Sequence, residues 1–324
     1  MRRTARAGFA LLAFVTLATP IPAPPAPGPG QPVAARLFAR QVALNEDHPG
    51  ERRLGPLTYL GGWELSSDDR RFGSISAMQV EGGWVTAAGD RGTIFRFPIP
   101  AHDQELVSVI PLTAGPGRFA SNVERDSESM QIAGGHAWLA YENNNEIWRH
   151  RLADWRADAH AAPAAMHSWP ANRGAEAMAR LPDGRFLVIA EDVAEDQWIS
   201  KALMFAGDPA LALTRAVPFR VRTPEGQRIT DAATLPDGRM LLLARGFTIS
   251  GGWSAKLLVA LLPERAGQLV EPTEVAALAA PLTVDNMEAL SVTQEQGRTI
   301  VWIASDDNLI PLQRTLLMKF EWAG

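Results

Sequence analysis

One design recurs along this chain about every 50 residues, and the recurrence limits the fold more than any other feature. Its clearest copy, Arg125 to Glu142 (RDSESMQIAGGHAWLAYE), is a strand-like run with an acid near its start, a glycine turn, and an apolar run ending on a second acid. The design returns from Gly174 (GAEAMARLPDGRFLVIAED), from Ile229 (ITDAATLPDGRMLLLARG) and from Asp285 (DNMEALSVTQEQGRTIVWIASDD), with a weaker copy from Phe72 (FGSISAMQVEGGWVTAAGD). Matched ends are Ser76 with Asp90, Glu128 with Glu142, Glu176 with Glu191, Asp231 with Arg245, and Glu288 with Asp306. Leu-Pro-Asp-Gly-Arg occurs twice, from Leu181 and from Leu235, where Pro-Asp-Gly supplies a hairpin turn.

Runs such as Phe186 to Ala190 and Met240 to Ala244 are apolar throughout, which predicts strands covered on both faces. The second copy predicts strands over Glu128–Ala133, Ala137–Glu142, Glu146–Leu152 and Ala165–Trp169. The last shows three, with the spare run Leu57 to Ser66 available as its fourth. The pattern predicts an all-β chain: a single β-propeller of five blades, closed by that N-terminal strand, which leaves no long open edge. Six blades is the alternative, with the extra one inside Pro263 to Pro281; a helix over Glu274 to Ala280 is a further option there.

Arg2, Arg3 and Arg6 before the apolar stretch Gly8 to Ala18 predict a secretory signal, and the run to Pro32 reads as a Pro-rich spacer. The expected organisation is residues 1–30 as signal and spacer, 31–53 as a weakly ordered linker, and 54–324 as the propeller. Localisation is then periplasmic or secreted, with no stable membrane span after signal cleavage. The chain has no cysteine, which removes disulfides, thiolate metal sites and a cysteine nucleophile. With 31 basic and 36 acidic residues, a net charge of −5 and no basic stripe, nucleic acid is not an expected partner. The chain is expected to be a monomer acting on a small molecule.

In a hairpin, the start of the first strand and the end of the second share an edge. Glu128, Glu176, Asp231 and Glu288 should therefore converge near a propeller axis. Asp90, Glu142, Glu191 and Asp306, with Asp307 and Asn308 beside them, should form a metal-binding set on the same face. So many carboxylates repel unless cations neutralise them, and oxygen ligands without His or Cys favour Ca²⁺. Arg245 stands where the other repeats carry an acid. Arg91, Arg125, Arg173 and Arg314 sit beside repeat acids and, with Asn286, are candidates for holding an anionic ester, because guanidinium forks match phosphate oxygens. A charge-balancing Arg–carboxylate network is the other option. No Gly-x-Ser-x-Gly elbow is present, and no histidine falls in a repeat motif except His136, at a hairpin turn, so a Ser–His–Asp triad has little support.

The motifs Asp126 to Met130 (DSESM), Gly174 to Met178 (GAEAM), Ile229 to Ala233 with Ala244 to Phe247, and Asp285 to Leu290 with Ser305 to Asn308 resemble, in their order, a family of secreted bacterial β-propellers. That family is described as phytase-like with esterase-like activity, and the likeness runs from about Leu57 to Phe320. The family often has glycine directly after the repeat glutamate, where this chain has Ser129, Ala177 and Ala289. The resemblance implies a Ca²⁺-dependent hydrolase of a phosphate ester or related ester. Glu128, Glu176, Asp231, Glu288 and Arg245 would be its catalytic residues. A Ca²⁺-dependent lactonase or arylesterase, and a non-enzymatic binding propeller with structural Ca²⁺, are the alternatives.

Overall fold

A computed structural model describes residues 30–117, 125–194 and 197–324. The expected signal segment lies outside the described residues. Each repeat is a four-stranded antiparallel sheet. The first comprises Ile75–Glu81, Trp84–Gly89, Thr93–Pro98 and Gln104–Pro111. The second comprises Ser127–Ala133, His136–Tyr141, Glu146–Arg151 and Ala157–Ala161. The third comprises Ala175–Arg180, Phe186–Ala194, Ile199–Phe205 and Ala216–Arg222, with a two-residue parallel addition, Leu269–Val270. The fourth comprises Arg228–Thr234, Met240–Thr248, Gly252–Ala260 and Thr273–Ala279. The fifth comprises Met287–Glu295, Arg298–Ser305 and Thr315–Trp322, and Leu57–Ser67 pairs antiparallel with the last of these.

The apolar runs are explained by what lies on either side of them. Alternate side chains of a strand face opposite ways. Leu242 and Ala244 pack with Leu187 and Ile189 of the third sheet, while Leu241 and Leu243 pack with Val301 and Ile303 of the fifth. The same division holds for Phe186 and Val188, which meet Trp138 and Ala140 of the second sheet. Ile300 and Trp302 meet Met78 and Phe95 of the first sheet, and Ile94 of the first meets Leu139 and Tyr141 of the second. An apolar layer thus separates each sheet from the next, the fifth from the first included. The opening strands follow the same order, each packed beside the next and the fifth beside the first.

Side chains also stitch neighbouring opening strands together. The Gln79 amide donates to Ile132 O at 3.0 Å and accepts from Ile132 N at 2.7 Å. Gln131 treats Met178 O and Arg180 N in the same way, and Ser291 Oγ accepts from Val80 N. Each such bridge satisfies backbone groups that would otherwise be stranded between sheets.

Three expectations are corrected. Val33–Gln41, expected within a linker, is a nine-residue strand paired with both Gln104–Pro111 and Leu57–Ser67, so it joins the first and fifth repeats into one ten-stranded sheet. Its buried Leu37 and Ala39 alternate with exposed Arg36 and Arg40, a short amphipathic signal beside a Pro-rich stretch. The fourth strand of the second sheet is Ala157–Ala161, not 165–169. The apolar residues there, Met166 and Trp169, are buried plugs on and just after a 3₁₀ turn, Ala164–Met166. The insert 263–281 holds the fourth strand of the fourth sheet rather than a helix or a further sheet. Among the described residues no helix is long and apolar enough to cross a membrane.

Removing Val33–Gln41 and Leu57–Ser67 exposes the strands Gln104–Pro111 and Thr315–Trp322 as unpaired edges. Truncation before Arg53 should lower Tm, and truncation before Asp68 should abolish a cooperative melt. A protein beginning at Asp68 that melts at the parental temperature would refute this account.

Candidate functional site

The site is built from one backbone irregularity repeated five times. In every opening strand the register with its partner slips by one residue, and the slipped residue is Ser76, Glu128, Glu176, Thr230 or Glu288. A β-bulge turns its extra residue out of the normal alternation and re-aims that side chain. In three repeats the re-aimed residue is a glutamate. In the first and fourth it is a hydroxyl that bonds the backbone of the next sheet: Ser76 Oγ to Ser127 O, and Thr230 Oγ1 to Met287 O. Ser129, Ala177 and Ala289, just after the bulged glutamates, are buried toward neighbouring sheets.

The bulge relocates one expected site residue. Asp231 lies one position past the bulge, opposite Leu243, so it is not the counterpart of Glu128, Glu176 and Glu288. Its oxygens accept the backbone N–H groups of Ala232 at 2.8 Å and Leu290 at 2.7 Å, fastening the fourth sheet to the fifth. Burial raises its pKa and those two amides lower it. Its carboxylate is committed to the backbone.

At the far end of each hairpin the next residue in register is Asp90, Glu142, Glu191, Arg245 or Asp306. The amides of the four acids donate to Ser74 O, Asp126 O, Gly174 O and Asn286 O respectively, and Arg245 pairs with Arg228 at the same level. Arg245 therefore occupies the position held by an acid in the other four repeats. The opposing positions contribute Asp126 and Asn286 to the same level.

The side chains gather into one cluster with two lobes. Carboxylate oxygens of Asp126, Glu128 and Glu142 lie within 4.8 Å of one another. Asp126 is in hydrogen-bond reach of Glu128 and Glu142, and Glu142 of Glu176. In the other lobe, Asn286 Nδ2 donates to Glu288 Oε1 at 2.8 Å and to Asp306 Oδ2 at 3.3 Å, while the charges of Asp306 and Glu288 repel that of Asp90. Arg245 links to the cluster with Nε 3.0 Å from Glu288 Oε1 and Nη2 3.5 Å from Glu191 Oε1.

Burial and then mutual repulsion raise these acids: Asp90 to about 9, Asp306 to about 8 and Glu142 to about 7. Burial also drives Glu128 and Glu176 well above the usual range, and raises Glu288 against the pull of Arg245. Burial works against the Arg245 charge, but Glu288, Glu191, Glu176 and Glu128 more than offset it, so the guanidinium stays charged. Two carboxylates about 4 Å apart repel by about 4 kcal/mol at an effective dielectric of about 20. The full set can ionise together only beside cations. The donor set consists of oxygens, their spacing suits one ion between several carboxylates, and Asp90 Oδ1 and Asn286 Oδ1 are buried without a hydrogen-bond partner. These residues fit a hard divalent cation.

The other expected residues have different work or stand elsewhere. Asp307 accepts from Ser74 N at 2.8 Å, Leu309 N at 3.0 Å and Thr315 Oγ1 at 2.9 Å, which ties the fifth sheet to the first rather than facing a metal. Asn308 is exposed in a left-handed turn. Arg125 is buried and donates to Leu112 O and Thr113 O. Arg314 holds Asp285 and Val284 O. Arg91, with Arg314, lines a neighbouring cleft of about 660 Å³, and Arg173 is exposed. Asn286, expected to bind substrate, bridges two of the acids instead. Asp126 was not anticipated in the site. It sits two residues before the bulged Glu128, just as Asn286 precedes Glu288, and that shared offset is the signal that could have marked it.

The family profile described as "Phytase-like: Esterase-like activity of phytase" matches residues 70–309. The chain belongs to this family. The matched segment holds every member of the cluster. Among solved structures, a thermostable family-43 glycoside hydrolase is similar at 10% identity, covering 78% of this chain and 92% of that one, with a TM-score of 0.52. The glutaminyl cyclase of Myxococcus xanthus is similar at 9% identity, covering 83% and 97%, with a TM-score of 0.46. A β-propeller domain from Myceliophteria thermophila is similar at 8% identity, covering 76% and 96%, with a TM-score of 0.38. No curated protein matches the sequence. At 10% identity the likeness to the glycoside hydrolase bears on fold and not on activity.

The charge of the cluster and the backbone role of Asp231 are open to separate tests. Folded, cation-free protein holds protons on acids whose ordinary values are 3.8 and 4.5, so this contribution to stability is present in acid and is lost as pH rises through about 7 to 9. Melting curves in chelator should show Tm falling between about pH 5 and pH 9, and a saturating divalent cation should remove most of that fall. A Tm that rises with pH in chelator would contradict the arrangement. Separately, Glu128→Gln should raise Tm in chelator and weaken cation binding by calorimetry. Asp231→Ala should cost about 1–3 kcal/mol of stability, because it strands two buried amides, and leave cation affinity near the parental value.

Proposed function

We propose that the chain is a secreted or periplasmic five-bladed β-propeller, closed by the Leu57–Ser67 strand, that hydrolyses a phosphate ester or related ester with Ca²⁺ held in the carboxylate cluster. The observation that carries this reading is Arg245, which ends the second strand of its repeat at the position where the other four repeats place an acid. Beyond charge balance, a purely structural ring has no evident need for this reversal. An ester oxygen that gains negative charge does, because carboxylates alone would repel it.

Asp126, Glu128, Glu142 and Glu176 would hold the cation. When bound, Ca²⁺ would supply Lewis-acid polarisation of the ester and acidify a water molecule. Arg245 would orient the substrate through Nη1, since Nε and Nη2 face Glu288 and Glu191. Asn286 donates to Glu288, and Glu288 would take the proton from the attacking water. The alcohol leaves with a proton returned through the same acid group. Burial of Glu288 favours a proton-accepting role, because its affinity for protons exceeds that of a solvated glutamate.

A carboxylic ester or lactone is the second reading. It is favoured by the single guanidinium, whose charge is already answered by two carboxylates. Phosphate-release, aryl-ester and lactone screens, each with Ca²⁺ and with chelator, separate the two. Loss of no activity in chelator would remove Ca²⁺ from the proposal.

On the best substrate, Arg245→Lys should reduce kcat/KM, since lysine keeps the charge but loses the planar fork. Arg245→Ala should cost about 2–4 kcal/mol of transition-state stabilisation, and Glu288→Gln should abolish turnover with little change in Tm. If Arg245→Ala melts far below the parent while its folded fraction keeps full activity, the residue is structural and the hydrolase reading loses its support.

A further inference from the structure

The hairpin that carries Arg245 continues beyond the cluster. Its strands Met240–Thr248 and Gly252–Ala260 remain paired out to Thr248 opposite Gly252. Strand alternation puts Arg245 and Phe247 on one face, the face turned to Glu288 and Glu191. Trp253 lies directly across from Phe247, with ring centres 5.0 Å apart, and the Arg245 guanidinium carbon is 5.8 Å from the Trp253 ring centre. Ile249 follows at the turn. Phe247 is 56% exposed and Ile249 fully exposed, so this apolar series is open to solvent. In the loop after Asp306, Gln313, with its amide turned, accepts the Trp253 Nε1–H at 3.3 Å, and Ile310 and Leu312 of that loop are exposed.

We propose that this shelf binds the apolar part of the substrate, and that the substrate is an amphiphilic ester. Its ester group would sit at Arg245 and the carboxylates, and its alkyl or aryl portion would lie on Trp253 and Phe247. The proposal rests on the hydrolase reading. Charge complementarity favours this occupant. A ligand bearing many anionic groups would meet the crowded carboxylates of the cluster and, at Arg245, a guanidinium already shared between Glu288 and Glu191. A ligand with one polar and one apolar end meets the guanidinium with the first and the indole with the second. Continuity between Arg245 and Trp253 makes the two surfaces one site.

The test uses the full chain with Ca²⁺ and 4-nitrophenyl acetate, butyrate and octanoate. In the parent, kcat/KM should rise about fourfold per methylene while the acyl chain still finds shelf, the equivalent of about 0.8 kcal/mol each. Phe247→Ala and Trp253→Ala should lower the octanoate-to-acetate ratio about tenfold, and Phe247→Leu should restore most of it. Ile249→Ser, at a fully exposed position, is a second variant that spares folding and should lower the ratio in the same direction. Calorimetric titration with octylphosphonate and methylphosphonate reads the shelf without turnover. If no ester is hydrolysed but octylphosphonate binds more tightly than methylphosphonate, and Phe247→Ala loses that difference, the shelf stands and the hydrolase reading falls. If esters are hydrolysed with no dependence on chain length, and the variants leave the ratio unchanged, the shelf is overturned and the hydrolase reading survives. If Phe247→Ala instead converts a dimer to a monomer in light scattering, or abolishes flotation with phosphatidylcholine vesicles, this face is an interface with another copy or with lipid, and the proposal is overturned.

Discussion

A strand packed between two sheets has no polar face to offer. The second strands of these repeats are in that position: Leu241 to Ala244, Phe186 to Ala190 and Ile300 to Ala304 each divide their side chains between two apolar layers. Charged groups can then emerge only where such a strand ends, and the hairpin brings that end beside the start of its partner. The location of the cluster follows from this burial. The acids sit where these strands leave the apolar layers, at the edge that the end of each second strand shares with the start of its partner.

The edge so defined is electrostatically costly without cations. Buried acids crowd one another, and the backbone that holds them is braced from outside the cluster. Asp231 fastens the fourth sheet to the fifth, Asp307 the fifth to the first, and Gln79 and Gln131 the first three sheets to one another. These polar side chains serve the frame and leave the cluster to Asp126, the bulged glutamates, the strand-end acids and Arg245. A frame fixed in this way can hold like charges at distances that they would not choose, which is what a cation site needs before the cation arrives. The hairpin bearing Arg245 then joins this charged floor to an apolar wall, so that one β-hairpin carries both characters along a single face.

Much of this was legible in the sequence, and the failures are specific. The glutamates Glu128, Glu176 and Glu288 and the strand-end residues Asp90, Glu142, Glu191, Arg245 and Asp306 are marked in the sequence by their repeating spacing. The spacing points to Asp231 in the fourth repeat, and the structure does not put it at the bulge. Within Ile-Thr-Asp the only carboxylate was the natural counterpart of the other repeats' acids, yet Thr230 is the residue at the bulge. Asp126 was passed over because a single acid before the repeat has no periodic partner except Asn286. Val33–Gln41 escaped because its amphipathic pattern is short and rich in arginine.

By itself the sequence determined the alternation of faces, the hairpin turns and the level at which charge leaves each apolar strand, because these follow from local periodicity and turn chemistry. Only the tertiary structure decided which residue of each opening strand is bulged, and therefore which side chain faces the cluster and which is used by a neighbouring sheet. The physical reason is that a bulge is a property of two paired strands. It appears where the hydrogen-bond ladder of one strand slips against its partner, and a one-residue slip reverses every direction that alternation would assign. No residue type marks it locally: serine, threonine and glutamate all occupy it here.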